Sequence, residues 1–205
     1  MPLMIRVFLS IKHRMPFIWR GIDALNAVVF RVLHGDRLEK EAEGCFAEFA
    51  LPGYHFRELH ESDLEHLASL VGRQKAGRLD YFKPHGFDRE SLERVARNPS
   101  FLMFGVFSGD LLVGYFFLRC FWNRKCFVGR LIDEPHERKG IGRVMNQILY
   151  NTAWRSRFRC LTTVSKNNAL VMRSHANNPT FRILKELPND YLFVEFVQPK
   201  QTGGS

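Results

Sequence analysis

Several patterns that define common classes of protein are absent from the sequence. Its four cysteines include no C-x-x-C pair, and they show no metal-ligand spacing with the eight histidines. We therefore expect no structural metal and no disulfide. Three of the cysteines lie inside apolar, strand-like runs, where a free cysteine is usually a small buried hydrophobe. This usage fits a reducing, cytoplasmic compartment.

A long uninterrupted apolar run is also missing. Residues 15–33 are rich in apolar side chains, but Arg20, Asp23 and Arg31 interrupt them, whereas a spanning helix needs about 20 largely uncharged residues. Residues 1–50 therefore form either a helix packed on the rest of the protein or an amphipathic helix on anionic lipid, peripheral to the inner face of the membrane. The apolar positions at near-helical spacing, with Asn26 elsewhere on the wheel, are Phe17, Ile18, Ile22, Leu25, Val28, Val29 and Val32.

The charge narrows the choice of partner. The formal net charge of +9 favours a polyanionic cofactor, nucleic acid or an acidic membrane surface. A nucleic-acid interface normally gathers its basic residues in one stripe with aromatic residues between them. Here the basic residues are scattered along the whole chain, and no nucleic-acid motif is present. We therefore expect no nucleic-acid partner.

One short stretch lies between a predicted strand and a predicted helix. It runs from Glu137 to Arg143 with the sequence ERKGIGR. A strand that turns through glycines into a helix leaves backbone N–H groups unpaired beside the positive end of the helix dipole. Gly140 and Gly142 lack Cβ atoms, so a phosphate can approach the backbone closely. The stretch is typical of a diphosphate site; the alternative is a tight turn beside exposed basic residues.

Two common phosphate-binding loops do not fit this stretch. The P-loop requires Ser or Thr after a Gly-Lys pair, and the stretch has no such pattern. The dinucleotide fingerprint G-x-G-x-x-G has Met145 at its third glycine, and it normally opens a fold instead of lying late in the chain. The stretch therefore belongs to neither class.

The predicted elements divide the chain into three parts. Leu51-Pro52-Gly53 ends a helical extension, residues 1–53, and a domain follows at residues 54–197. The domain has the order strand, helix, helix, three meandering strands, helix, strand, helix and two strands. A polar, glycine-rich tail at residues 198–205 is expected to be disordered.

This order of elements, together with the glycine stretch, resembles the GNAT superfamily of acyl-CoA-dependent N-acyltransferases. The family signature Q/R-x-x-G-x-G/A falls on Glu137 to Gly142, and both glycines match. The resemblance implies that the backbone of this loop binds the pyrophosphate of coenzyme A. Glu137 departs from the family, because Gln or Arg is usual there, and we expect Arg138 or Arg143 to supply the missing charge.

A second match lies on the predicted helix after the fifth strand. The family pattern N-x-x-A/S-x-x-x-Y/H aligns with Asn168 and His175, and Val171 occupies the small-residue position. By resemblance, Asn168 contacts the pantetheine arm and His175 protonates the departing thiolate. The G-F pair that usually follows is replaced by the segment Asn177-Asn178-Pro179.

The resemblance implies an α/β (α+β) fold: a mixed, mostly antiparallel central sheet of about seven strands with helices on both faces, plus the N-terminal helical extension. Acetyl-CoA would lie in a V-shaped gap between the fourth and fifth strands, and no metal is implied. A backbone N–H near Leu131–Asp133 would stabilise the oxyanion. The implied cofactor-binding residues are Leu131, Ile132, Asp133, Glu137, Arg138, Lys139, Gly140, Ile141, Gly142, Arg143 and Asn168.

Direct attack of an amine on the thioester leaves two proton transfers to assign. Asp133 and Glu134 are candidates for the general base; alternatively, they cap the loop or pair with nearby arginines. His136 either relays a proton or is simply exposed. His175 is the candidate acid, and the alternative is a surface or core histidine.

An aromatic loop contains the candidate acceptor-site residues Tyr81, Phe82 and His85. The alternative is that this loop closes the core over the second helix. The run from Asp80 to Asp88 looks like a loop of some bacterial members that are associated with surface-glycan synthesis. We therefore expect a small-molecule amine acceptor, such as an amino sugar.

The predicted function is acyl-CoA-dependent N-acyl transfer, with acetyl-CoA as the acyl donor. Protein or peptide N-acetylation is an alternative. A non-catalytic GNAT-like module that binds coenzyme A or a partner protein is another. A homodimer is compatible with each of these functions.

Overall fold

A computed structural model describes residues 16–75 and 77–199, so residues 1–15 and most of the predicted tail lie outside the described part. The α-helices are α1 (Pro16–Phe30), α2 (Asp36–Glu48), α3 (Leu64–Gly72), α4 (Arg89–Ala96), α5 (Ile141–Arg155) and α6 (Ala169–His175). The strands are β1 (His55–Glu58), β2 (Phe101–Ser108), β3 (Leu111–Phe121), β4 (Lys125–Ile132), β5 (Arg159–Ser165), β6 (Phe181–Leu187) and β7 (Tyr191–Phe196).

The seven strands form one sheet in the order β1-β2-β3-β4-β5-β7-β6. Among these strands β4 and β5 are the one parallel pair, and the other neighbours are antiparallel. The predicted fold class, a mixed and mostly antiparallel sheet of about seven strands, is confirmed.

Two hydrophobic cores cover the two faces of the sheet. β2 and β3 are buried at nearly every position, as expected of strands that are covered on both sides. On one face, α5 packs Val144, Met145 and Ile148 against the sheet. On the other face, α3 and α4 pack Leu67 and Leu92 against it. The sheet is therefore held rigidly at its centre, beside the point where β4 ends.

The N-terminal extension packs on the domain, as the first of its two predicted alternatives requires. A π-helical turn, Arg31–Gly35, joins α1 to α2. Phe30, Leu38, Ala42 and Cys45 are buried in the same core as α5. The extension and the sheet therefore share one core, while the predicted boundary near residue 53 stays a prediction.

Four residues of the predicted apolar row point to solvent instead of facing this core. Asn26 is buried instead; its Nδ2 donates to Ser100 Oγ and to the Cys120 carbonyl, both at 3.1 Å. Its Oδ1 accepts the Trp122 N–H at 3.1 Å. These backbone groups at the end of β3 need a polar partner, which an apolar side chain cannot supply. The outward side chains, 45–79% exposed, are Ile22, Leu25, Val28 and Val32.

The four cysteines are buried and not joined by disulfides. Cys120, Cys126 and Cys160 lie opposite one another across β3, β4 and β5. Burial raises the pKa of the Cys120 and Cys160 thiols, which suits residues of the core. In the described part of the chain no cluster of three or more His, Cys, Asp or Glu side chains is placed to hold a metal ion. None of the described helices is both long and apolar enough to cross a membrane.

An ion pair between the half-buried Arg57 and the buried Asp63 joins β1 to the start of α3. Both oxygens of the Asp63 carboxylate accept hydrogen bonds from Arg57 at 2.7 Å. One of them also accepts the backbone N–H of His60 at 2.9 Å. Because the bonds from Arg57 favour the charged form, the pKa of Asp63 is lowered to about 2.

Replacing Asp63 by Asn should lower the free energy of unfolding by up to about 2 kcal/mol at pH 7, because folding depresses the pKa of this carboxyl. A depressed carboxyl pKa stabilises the fold above the unfolded-state pKa of 3.8, and this stability is lost as the pH falls from 3.8 to about 2. Urea unfolding of both proteins at pH 7 and across this acid range measures both effects. Asp110→Asn, in the exposed turn after β2, is the control. Equal stability of the parent and Asp63→Asn at pH 7 would contradict the prediction.

Candidate active site

The candidate site lies where β4 and β5 separate. The two strands pair in parallel only where Lys125 to Phe127 face Arg159 to Leu161. Next to this ladder, Thr162 Oγ1 donates to the Val128 carbonyl at 3.0 Å. Beyond that bond β4 continues with β3 while β5 continues with β7. A gap therefore opens between β4 and β5, as the sequence predicts.

The alternation of β4 decides which backbone groups face this gap. The Asp133 N–H donates to the Val113 carbonyl at 2.8 Å, so odd-numbered positions of β4 pair with β3. The Ile132 carbonyl accepts a side-chain hydrogen bond on the other edge of the strand. The N–H groups of Arg130 and Ile132 therefore point toward β5. Within the predicted oxyanion segment, residues 131–133, Ile132 is the residue that presents its N–H to the gap.

The glycine stretch follows, and it starts α5 without a side-chain cap. Gly140 has a φ of +89°, in the left-handed region, and lies at the N-cap of α5. Its carbonyl accepts the N–H groups of Arg143 and Val144 at 3.0 and 3.3 Å. The preceding N–H groups, of Ile141 and Gly142, have no partner within the helix. Neither N–H has a hydrogen-bond partner among the residues that the structure describes, so this helix start can offer two donors and a positive dipole to an anion.

The two glycines of this stretch are required for different reasons. A Cβ atom at Gly140 would touch only Leu51, at 3.6 Å, so the positive φ is what favours glycine there. A Cβ atom at Gly142 would lie 2.6 Å from Arg130 Nη1 and 3.3 Å from Ile132 Cδ1. Gly142 thus makes room for side chains of β4. The close approach of a phosphate to both glycines stays a prediction.

Glu137, the unusual first residue of the motif, is already neutralised. Its Oε1 lies 2.5 Å from Arg78 Nη2, which also donates to the Ile132 carbonyl at 3.0 Å. Arg78 Nε donates in addition to Gln74 Oε1 at 3.2 Å. The carboxylate is therefore engaged by the segment after α3, and it is not left to repel an anion at α5.

The two candidate bases are also paired with cations. Asp133 is buried, and its oxygens accept hydrogen bonds from Arg73 at 3.2 Å and from Gln74 at 3.0 Å. Glu134 is exposed and pairs with Lys75 at 2.8 Å, which lowers the pKa of Glu134. Asp133 matches the alternative that these carboxylates pair with nearby arginines, whereas the partner of Glu134 is a lysine. The charged clamp, as we call it, consists of the pairs Arg73–Asp133, Lys75–Glu134 and Arg78–Glu137.

His136 lies in the turn between β4 and the glycine stretch. It is half-buried, and its Nδ1 lies 3.2 Å from the hydroxyl of Tyr54. Burial and the nearby charge of Lys139 lower the pKa of His136, so its imidazole is neutral at pH 7. The proton-relay role expected of it stays a prediction.

His175 is buried at the end of α6. Its ring stacks on Phe181 with 5.0 Å between centroids, and the Phe196 ring lies 5.3 Å away. Burial, together with the charge of Arg130, lowers the pKa of His175 to about 4. The imidazole is therefore neutral at pH 7, with one N–H to donate.

Asn178 determines which nitrogen of His175 carries that proton. Its Oδ1 accepts the N–H and the hydroxyl of Thr180, at 3.0 and 2.8 Å, which fixes the orientation of the amide. Its Nδ2 then faces His175 Nδ1 at 3.1 Å and donates to it. The proton of the neutral ring lies on Nε2. The sequence shows only that this segment lacks the family G-F pair, so the role of Asn178 was not predicted.

Asn168 is placed at the start of α6. Its Oδ1 accepts the Val171 N–H at 3.2 Å, as the N-cap of the helix. This capping bond uses the side-chain oxygen and leaves the amide nitrogen for another partner. The predicted contact with a pantetheine arm stays a prediction.

The aromatic loop lies on the opposite face of β4 from α5. Phe82 packs with the core beneath α3 and α4, as the alternative for this loop requires. The same ring lies over Gly129, where a Cβ atom would be 3.3 Å from it. Tyr81 is 47% exposed. Phe82 therefore lies beside the gap-forming strand, and contact of Tyr81 or Phe82 with an acceptor stays a prediction.

His85 belongs to this loop, and both of its ring nitrogens have hydrogen-bond partners. Its Nδ1 lies 2.7 Å from the Gly86 carbonyl, which can only accept, so Nδ1 carries the proton. Its Nε2 lies 2.8 Å from the Tyr115 hydroxyl. Burial lowers the pKa of His85. These bonds support a structural role, and the predicted role in acceptor binding stays a prediction.

Arg130 brings a charge into the gap that the sequence does not single out. Its side chain leaves β4 on the same face as Cys126 and Val128, toward α5, where its guanidinium reaches Gly142. Burial lowers the pKa of Arg130. A single arginine in an apolar strand is normally interpreted as a solvated residue, so the sequence pattern indicates no functional role for Arg130.

Comparisons with known proteins find solved structures that have the same fold. No family model matches the sequence, and no characterised protein matches it significantly. The chain is similar to PaiA N-acetyltransferase of Thermoplasma acidophilum in complex with coenzyme A, at 16% identity, covering 69% of this chain and 97% of that one, with a TM-score of 0.58. It is also similar to the ribosomal-protein-S5-alanine acetyltransferase of Vibrio fischeri, at 15% identity, covering 72% and 93%, with a TM-score of 0.59.

A third similar structure is the GNAT domain of S. lividans PAT, at 13% identity, covering 69% of this chain and 88% of that one, with a TM-score of 0.59. These likenesses concern the fold, since the identities are low. The chain therefore has the GNAT fold, and the resemblance found in its sequence is confirmed at that level.

His175 should titrate near pH 4 and carry its neutral-state proton on Nε2, because its ring is buried and Asn178 donates to Nδ1. Long-range ¹H–¹⁵N correlation spectra as a function of pH measure both properties. His175→Gln assigns the signal. A ring with its proton on Nδ1 at pH 7, or a pKa near the ordinary 6.5, would contradict the geometry.

Proposed function

We propose that this protein transfers the acetyl group of acetyl-CoA to an amine of a small molecule. The observation that carries the proposal is a strand gap that ends beside an uncapped helix start, within a GNAT fold. The gap offers extended backbone donors, and the helix start offers an anion site. A ligand with an amide-containing arm and a diphosphate can use both, since the arm can bond to the backbone donors and the diphosphate to the anion site.

Coenzyme A fits the residues present. The unpaired N–H groups at the start of α5 suit its diphosphate. The N–H of Arg130 and that of Ile132 face the gap, where they suit the amides of the arm. PaiA N-acetyltransferase, a protein of the same fold, is described in complex with coenzyme A. Arg138, Lys139 and Arg143 lie exposed around the helix start and add positive charge.

Acetyl-CoA supplies an activated thioester, so the protein has mainly to orient the reactants. The Ile132 N–H, at the open end of the gap, donates to the carbonyl oxygen as negative charge develops on it. A backbone donor in a strand that β3 holds in register is preorganised, because it needs no reorientation during the reaction.

His175 donates a hydrogen bond to the leaving thiolate through Nε2–H, because Asn178 donates to Nδ1 and so leaves the ring proton on Nε2. A neutral imidazole is too weak an acid to give this proton up, so the thiolate takes up the proton that the base removes from the incoming amine. For the incoming amine, Glu134 is the better of the two candidate bases. Its side chain is 44% exposed and pairs with an exposed lysine, whereas Asp133 is buried between Arg73 and Gln74. Asp133 would then position the end of β4.

A small acceptor is favoured over a protein. The charged clamp holds the segment after α3 against the end of β4, and the exposed ring of Tyr81 follows it. An amino sugar has the size and the apolar ring face to suit this surface. Acetylation of a protein is the second candidate, because the ribosomal-protein-S5-alanine acetyltransferase has the same fold. Contact of residues 1–50 with anionic lipid, and a cytoplasmic location, stay predictions.

Release of coenzyme A from acetyl-CoA should depend on an added amine, and amino sugars should support faster release than peptides with free α-amines. A thiol-reactive dye measures the rate for each amine against a blank without amine. Peptides as the better acceptors would reverse the choice of acceptor. Binding of acetyl-CoA without turnover of any amine would favour a non-catalytic module.

Gly140→Val should raise the KM for acetyl-CoA at least about tenfold, since a branched residue strains the left-handed position and shifts the helix start. Gly109→Val is the matched control, because Gly109 also has a positive φ, +57°, but lies in the turn between β2 and β3. Steady-state kinetics and melting temperatures compare the two variants. Equal KM values for both would remove the glycine stretch from the site.

A further inference from the structure

We infer that Arg130 binds the diphosphate of the acyl donor, and so supplies from β4 the charge that the first position of the motif lacks. The inference rests on the proposed function and assigns a specific residue to its anion site. Four observations carry it: the position of the guanidinium, its lack of partners, the state of the neighbouring charges and the packing of Gly142.

The guanidinium of Arg130 lies at the start of α5. A Cβ atom on Gly142 would be 2.6 Å from its Nη1 and 3.3 Å from its Cζ, so the group packs directly on the first helical turn. The unpaired N–H groups of Ile141 and Gly142 belong to the same turn. An anion bound by these donors therefore lies within reach of the guanidinium, which can offer two parallel N–H bonds to one phosphate.

This charge is unpaired in the part of the chain that the structure describes. None of the described side chains or carbonyls forms an ion pair or a hydrogen bond with the Arg130 guanidinium. Tyr150 and Glu137 are near enough to favour its charged form, but burial outweighs them and lowers its pKa. Arg130 is half-buried, and a partly desolvated charge without a partner is costly; a bound dianion would compensate for it.

The neighbouring charges differ from Arg130 in this respect. Glu137 is neutralised by Arg78, so it does not take up the charge of Arg130. Arg138, Lys139 and Arg143 are exposed, so water already solvates them. A contact made by a withdrawn guanidinium is stronger than one made by a solvated side chain, because little water competes for it.

Gly142 gives the inference a structural consequence. A methyl group at this position would occupy the place of Nη1 and displace the guanidinium. Gly142→Ala should therefore weaken diphosphate binding by moving Arg130, with the charge still present. In a protein that already lacks Arg130, the same substitution should add little, since neighbouring sites that act through one contact are not additive.

Calorimetric titration of the whole chain tests the inference with three probes: acetyl-CoA, inorganic pyrophosphate and S-acetylpantetheine, which has no diphosphate. Arg130→Met should weaken binding of acetyl-CoA and pyrophosphate by about ten- to a hundredfold, the loss expected for a charge-assisted contact. Binding of S-acetylpantetheine should be unchanged. Lys125→Met is the matched control, because it removes the same charge from the exposed, opposite end of β4. Arg130→Lys should recover part of the affinity.

Three results would overturn the inference: unchanged binding of both phosphorylated probes by Arg130→Met, equal loss for all three probes, or full additivity of Arg130→Met and Gly142→Ala. Equal loss would indicate a structural role, which melting temperatures of the same variants would also show. A parent protein that binds pyrophosphate through Arg130 but not acetyl-CoA would refute the proposed function and leave this anion site standing. A parent that binds neither would refute both.

Discussion

The separation of β4 from β5 is the constraint on which the candidate site depends. The two strands pair at three positions and then follow different partners, β3 and β7. Backbone N–H and C=O groups that a longer parallel ladder would pair are therefore left facing a gap. The two elements that follow these strands differ: α5 follows β4 with a helix start that has no side-chain cap, and α6 follows β5 with His175 at its end.

The charges around this gap are distributed in a way that favours an anionic ligand. The charged clamp pairs three carboxylates at the end of β4 with three cations from residues 73–78. Those pairings fix the local backbone, and they remove the negative charge that would oppose a diphosphate. Arg130 is left without an anion in the described part of the chain. Part of the net positive charge of the sequence therefore lies near the gap, on Arg130, which is half-buried beside the N–H groups of Ile141 and Gly142.

The sequence predicts the elements well because they rest on local patterns. Each strand, the glycine turn and the helix that follows it are predicted from the residue pattern of a short stretch of sequence. Features that depend on distant partners were not predicted. Arg78 and Glu137, which form an ion pair, are 59 positions apart. The role of Asn178 is local, but residue types alone do not show which way its amide is turned toward His175. In the N-terminal extension, the buried amide of Asn26 faces the core, whereas four apolar side chains between Ile22 and Val32 face solvent.

Thermal unfolding with acetyl-CoA, free coenzyme A and ATP tests the central claim most directly. A ligand of the folded state, at about 100 times its dissociation constant, stabilises it by roughly 2.7 kcal/mol. For a chain of this size that corresponds to a rise in Tm of about 5 to 10 °C. A rise with both forms of coenzyme A and little change with ATP is the predicted result. No rise with either form would contradict the account, and the glycine stretch would then be only a turn.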